Sequence, residues 1–175
     1  MAIPPRANFD NFLSYIESPA LRAIAQRWNE ARGARQMPAW ADLNSPTLSP
    51  YFKMLWAFQY YPDAEEFRGW FAGAKLNKWI DKSFSGGRLQ DLAPHTSYEN
   101  IRERLTKLIS GPSYLRTSGR IFIVDGLNIT GERIALPMSG DGKLVDGVFG
   151  ASDYVSPPLL GSAELVYENE EWYNC

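Results

Sequence analysis

At 175 residues, 45% hydrophobic and 22% charged, the chain has the balance of one globular domain with an extra helix or tail. Aromatic residues make up 14%, enough large rings to fill a core without disulfides or a metal. A net charge of −2 falls far short of the basic footprint of a nucleic-acid binder, and no apolar run approaches the roughly 20 residues of a membrane span.

Met1-Ala2-Ile3-Pro4-Pro5 carries no charged-then-apolar leader, and the single cysteine, Cys175, cannot form an internal disulfide. A cytoplasmic setting is expected, which makes the sequon Asn128-Ile129-Thr130 accidental. Residues 1–8 read as disordered or extended, followed by a short helix from about Asp10 to Glu17. The next helix is better marked. Ser18 is an N-cap, Pro19 suits the first helical position, and Gly33 is a left-handed stop. Its Leu21, Ile24 and Trp28 recur at helical spacing, a stripe that either covers the sheet or pairs with a second copy in a symmetric homodimer.

Gly33 to Pro50 reads as a connector. Lys53–Tyr61 and Glu66–Gly73 form a hairpin around Pro62-Asp63-Ala64, with Trp56 and Phe58 on one face and Leu55 and Ala57 on the other. Apolar groups on both faces require cover on both. Short helices and turns fill 74–92, and Thr96-Ser-Tyr-Glu99 is a capping box opening a longer helix that ends at Gly111-Pro112. Three strands follow: Tyr114–Val124, Arg133–Ser139 and Leu144–Ala151, joined at Asp125-Gly126 and Asp141-Gly142. Pro157-Pro158 closes the domain. The remaining residues, with five acidic side chains from Asp153 to Glu171 and no Lys or Arg, read as a solvated acidic tail. The domain plan is therefore an extension (1–18), a domain with its flanking helix (19–151) and a tail (152–175). The fold expected is α+β: a five-stranded antiparallel sheet, a helical crossover and an N-terminal flanking helix.

Four segments, in order, resemble a bacterial PAS-like family without an assigned function. They are Trp28-Asn-Glu-Ala-Arg-Gly-Ala-Arg-Gln-Met-Pro-Ala-Trp-Ala-Asp42, Phe67-Arg-Gly-Trp-Phe-Ala-Gly73, Gly87-Arg-Leu-Gln-Asp-Leu92 and Leu136-Pro-Met-Ser-Gly-Asp-Gly142. The chain departs from that family at Trp40, where a basic residue is commoner, and at Ala74, where a hydroxyl is. The resemblance spans about residues 21–151. It implies a PAS fold and a signalling role, and supplies no ligand.

Chemistry is sparse. His95 and Cys175 are the only soft metal ligands, so no zinc constellation can be built. His95 precedes the long helix but matches no haem pattern, and a local hydrogen-bonding role is expected of it. Nucleophile elbows and phosphate loops are absent: Gly111-Pro-Ser-Tyr-Leu115 lacks the second glycine, and Gly86-Gly87-Arg88 lacks Walker spacing. Trp70, Leu76, Trp79, Ile80, Phe122, Met138 and Phe149 either line a cavity for a small apolar or amphipathic ligand or fill the core. Arg68 and Arg120, on strands, could meet an anionic ligand or stand exposed. The reading is a non-catalytic regulatory module, a homodimer acting on signalling proteins, with a carrier for a small molecule as the alternative.

Overall fold

A computed structural model describes residues 5–43, 46–80, 82–155 and 163–175. Pro157-Pro158, expected to close the domain, lies outside them. The first helix, α1 (Pro5–Tyr15), starts inside the segment expected to be extended. Its Phe9 and Phe12 are buried in a ring cluster with Trp28 and Tyr114, at centroid distances of 5.3–6.0 Å. That tertiary packing, rather than local propensity, holds the helix.

The second helix, α2 (Pro19–Arg32), follows its sequence signals. The Ser18 hydroxyl accepts from the Leu21 N–H at 3.2 Å and donates to the Asp153 carboxylate at 2.6 Å, and Gly33 ends the helix at φ 59°. Leu21, Ile24 and Trp28 are fully buried against the sheet, and the Trp28 indole N–H donates to the Pro137 carbonyl at 3.1 Å. Burial of each aliphatic member contributes roughly 1.5–3 kcal/mol. The stripe is thus used within the chain, as cover for the sheet.

The connector contains two 3-10 stretches, Trp40–Leu43 and Pro46–Met54. Strands β1 (Leu55–Tyr61) and β2 (Glu66–Ala72) pair as an antiparallel hairpin. The crossover follows: α3 (Ala74–Asn77), α4 (Leu89–Leu92) and α5 (Tyr98–Ser110). The expected capping box at α5 is not used. Ser97 is the N-cap residue, and its hydroxyl accepts instead from the Leu165 N–H at 2.9 Å, tying the start of the helix to the far edge of the sheet.

Next come β3 (Ser113–Val124) and β4 (Leu127–Met138), joined at Asp125 and Gly126, both at positive φ as a tight hairpin turn requires. β4 begins well before the expected Arg133. β5 (Gly147–Tyr154) begins later than expected, because 139–146 form a loop held by the Asp141 carboxylate, which accepts from the Lys143 and Leu144 N–H groups at 2.8 and 2.9 Å.

The acidic tail is built into the sheet, with Glu164, Glu168 and Glu170 on its exposed side. β6 (Ala163–Leu165) and β7 (Asn169–Asn174) both pair antiparallel with β3, completing a seven-stranded sheet in the order β2-β1-β5-β4-β3-β6, with β7 beside β6 on the β3 edge. Phe122 faces Leu165 and Ser118 faces Asn169, so the two pieces keep one register across a short break. At the break the Glu168 carboxylate accepts from the Arg120 N–H at 2.6 Å and from its guanidinium at 3.0 Å. Gly119 opposite, at φ 88°, has no room for a Cβ against that carboxylate. Glu170 makes a two-point contact with Arg104 at 2.6 and 3.0 Å, and Glu171 meets Arg116 at 3.1 Å.

The protein is therefore α+β, with its antiparallel sheet covered on both faces. On the outer face α1 and α2 pack on Tyr114, Ile134, Leu136, Met138, Phe149 and Ala151. A buried ion pair fixes this layer: Arg116 donates to Glu132 at 2.6 Å, and the Glu132 carboxylate also accepts from the Glu17 and Ser18 N–H groups at 2.9 and 2.7 Å. On the inner face α4 and α5 pack on Trp56, Phe58, Leu115, Ala135 and Val148.

Candidate ligand cavity

Strand alternation decides what faces the crossover. Along β4, Ile134, Leu136 and Met138 point to the outer layer, which sends Arg133 and Ala135 inward. A cavity of about 80 Å³ lies on this inner side, several times the roughly 10–15 Å³ that one water needs. Its wall is mainly apolar: Trp56 and Phe58 from β1, Phe122 from β3, Leu76 from α3, and Ile101 and Leu105 from α5. The Trp56 indole lies across Gly150 on β5, where a Cβ would collide with it.

Of the residues expected to line such a cavity, Leu76, Trp79, Ile80 and Phe122 do. Trp70, Met138 and Phe149 do not. Met138 and Phe149 sit on the other side of the pleat, in the outer core. Trp70 is 41% exposed and packs edge-on against Trp40 at 4.5 Å, in an open surface groove that Phe149 also floors. His95 is exposed in the turn before α5 and is not among the lining residues. The two arginines considered for an anionic ligand are engaged elsewhere: Arg68 with Glu66 and the Tyr61 ring, Arg120 with Glu168.

The charged group in the cavity wall is Arg133, which is 4% exposed. Its Nε donates to the Ser152 hydroxyl at 3.4 Å and one terminal nitrogen to the Ile121 carbonyl at 3.1 Å. The guanidinium carbon lies 5.1 Å from the Phe122 ring and 5.2 Å from the Tyr167 ring. Its other terminal nitrogen, Nη1, has no partner. The Thr117 hydroxyl is the only other buried polar side-chain atom without one among the described residues. Thr117, Arg133 and Ser152 are direct cross-strand neighbours on β3, β4 and β5, so both orphaned groups lie in one row. Burial holds the Arg133 pKa below the ordinary arginine value and pushes the Tyr167 hydroxyl up. On its other side Tyr167 meets the Arg104 guanidinium at 4.0 Å.

Arg133 is the functional candidate that sequence reasoning missed. It entered the sequence reading only as the first residue of the strand Arg133–Ser139, whereas β4 begins at Leu127 and puts it mid-strand and inward. Among the described lining residues none carries a carboxylate, imidazole or thiol, the usual groups of acid–base and nucleophilic catalysis. No group of three or more His, Cys, Asp or Glu able to hold a metal ion occurs among the described residues. No helix among them is long and apolar enough to cross a membrane. No protein-family model matches the chain, and no curated protein matches it.

Proposed function

We propose that the chain is a PAS-like, non-catalytic sensory module of the bacterial cytoplasm that binds a small molecule between its sheet and its helical crossover. The observation that carries this is the apolar cavity on the inner face, walled by residues from both layers. Two hairpins separated by a helical crossover, β1–β2 and β3–β4 with β5 closing between them, support the PAS-like reading; β6 and β7 are additions on the β3 edge. Output is through protein–protein contacts by a homodimer, using a surface other than the buried stripe of α2. A ligand touching Leu105 on α5, Leu76 on α3 and the β6–β7 junction at Tyr167 favours one arrangement of these elements over another, a population shift rather than a reaction.

Native mass spectrometry of purified protein against the same sample denatured tests this. An excess mass lost on denaturation, and absent from a Leu105→Trp variant that fills the cavity, is expected. Bare protein, together with no thermal shift from any small apolar probe, would refute it. The native spectrum reports the dimer directly, and a monomer at micromolar concentration would remove that part of the proposal.

A further inference from the structure

We propose that the cavity takes a small monocarboxylate, its apolar body among the lining rings and its carboxylate on the Arg133 guanidinium. This rests on the ligand-binding reading above and names the chemical class of the ligand.

The first argument is charge. Arg104, Arg116 and Arg120 each meet a carboxylate, whereas no ion pair among the described residues includes Arg133. Yet Arg133 is among the most buried charged groups in the chain. Buried charges are paired, because taking an ion out of water without a partner costs several kcal/mol. The missing partner is an anion of the protein's surroundings.

The second argument is geometry. Nη1 of Arg133 and Oγ1 of Thr117 are donors without acceptors on directly paired residues. Ser152 already accepts from Trp56 at 3.1 Å and from Arg133, which leaves its own O–H to donate. Arg133 and Ser152 both line the cavity from neighbouring strands, so a carboxylate at that end has a charged donor and a hydroxyl donor to meet.

The third is the match of charge and size. Arg104, which shares the Tyr167 ring with Arg133, is occupied by Glu170, so a single uncompensated positive charge is on offer. A phosphate dianion or a nucleotide would carry excess charge into an apolar wall. About 80 Å³ of free space beside Trp79 and Phe122 fits a single ring or a short chain, not a long acyl tail.

The test uses the full chain, stripped of bound material by unfolding and refolding, and titrated calorimetrically. Benzoate and hexanoate are the acid probes, benzamide and hexanol their uncharged counterparts, and chloride the inorganic control. Charge-assisted hydrogen bonds are worth roughly 1.5–3 kcal/mol, so an acid binding about tenfold or more tighter than its counterpart is expected. Arg133→Met should erase that preference while still binding hexanol, which shows the cavity intact, and Arg133→Lys should keep part of it. Equal binding of acid and uncharged probes by the native protein, or a preference that survives Arg133→Met, overturns the inference and leaves the ligand-binding reading standing. Chloride competing as well as benzoate would mark an inorganic anion site and also overturn it. If no probe binds and Leu105→Trp changes no ligand response, both readings fall together.

Discussion

Replacing Arg133 with Met in the ligand-free protein should make it more stable. The substitution keeps a long, flexible side chain in the same space and removes the charge. What it gives up is a long contact to Ser152 at 3.4 Å and one hydrogen bond to the Ile121 carbonyl at 3.1 Å. Neither acceptor is orphaned, because Ile121 O keeps the Val166 N–H at 3.0 Å and Ser152 keeps the Trp56 indole at 3.1 Å. What it removes is the desolvation of an unpaired guanidinium, several kcal/mol, set against roughly 1.5–3 kcal/mol for the one good charged hydrogen bond. The balance favours the variant by about 2 kcal/mol. For a chain of this size that raises Tm by roughly 4–8 °C. Urea melts of both proteins, refolded free of ligand, give the answer. A lower midpoint at unchanged m-value would show that the protein itself satisfies the charge, and the reason to expect an anionic ligand would vanish.

The opposite sign holds on the outer face. Glu132→Ala leaves Arg116 buried without its main partner and uncaps the Glu17 and Ser18 N–H groups, so a loss of about 3–5 kcal/mol in urea unfolding is expected; an Arg116→Met/Glu132→Leu double variant should recover most of it. Asp141 is held below the usual carboxylate range by the Leu144 and Lys143 N–H groups and the Ser139 hydroxyl. With its folded value depressed, its contribution is present above the ordinary carboxylate range and lost as pH falls from about 4 downward. The Tm gap between native protein and Asp141→Asn should therefore be full at pH 6 and close in acid; a constant gap would refute it. Burial pushes the Cys175 thiol up to about 12, so alkylation by iodoacetamide at pH 8 should be far slower in the folded protein than in urea, read by mass spectrometry. Equal rates would mean that residue 175 is not docked.

Local signals in the sequence were reliable where the local chain sets the outcome. Ser18-Pro19 and Gly33 bounded α2 because capping depends on neighbouring residues alone. Asp125-Gly126 marked a tight turn for the same reason. The failures share a cause, which is that the partner is distant in the chain. Glu168, Glu170 and Glu171 looked like a solvated run because their arginines lie on β3 and α5. α1 was under-read because Phe9 and Phe12 are held by Tyr114 and Trp28. Part of the cavity wall was legible: Leu76, Trp79, Ile80 and Phe122 were anticipated, whereas Met138 and Phe149 were placed on the wrong side of the pleat. Arg133 followed from the same uncertainty of register. A one-residue shift in a strand exchanges core and cavity, and periodicity alone does not fix it.

The single register shared by β6 and β7 has a consequence for how the chain acquires its structure. β3 can zip to β4 as soon as both exist, but its other edge is filled by residues some fifty positions further on. α1 waits on the same event: Phe12 packs on Tyr173 at 5.7 Å, and the Asn8 amide donates to the Asn174 carbonyl at 2.9 Å. α1, made well before its partners β3 and β7, is thus among the last elements to settle. Until then the nascent chain presents an open strand edge and an unsheltered aromatic cluster, the two features that invite misassembly. Such long-range closure slows folding relative to a protein of the same size built from neighbouring contacts.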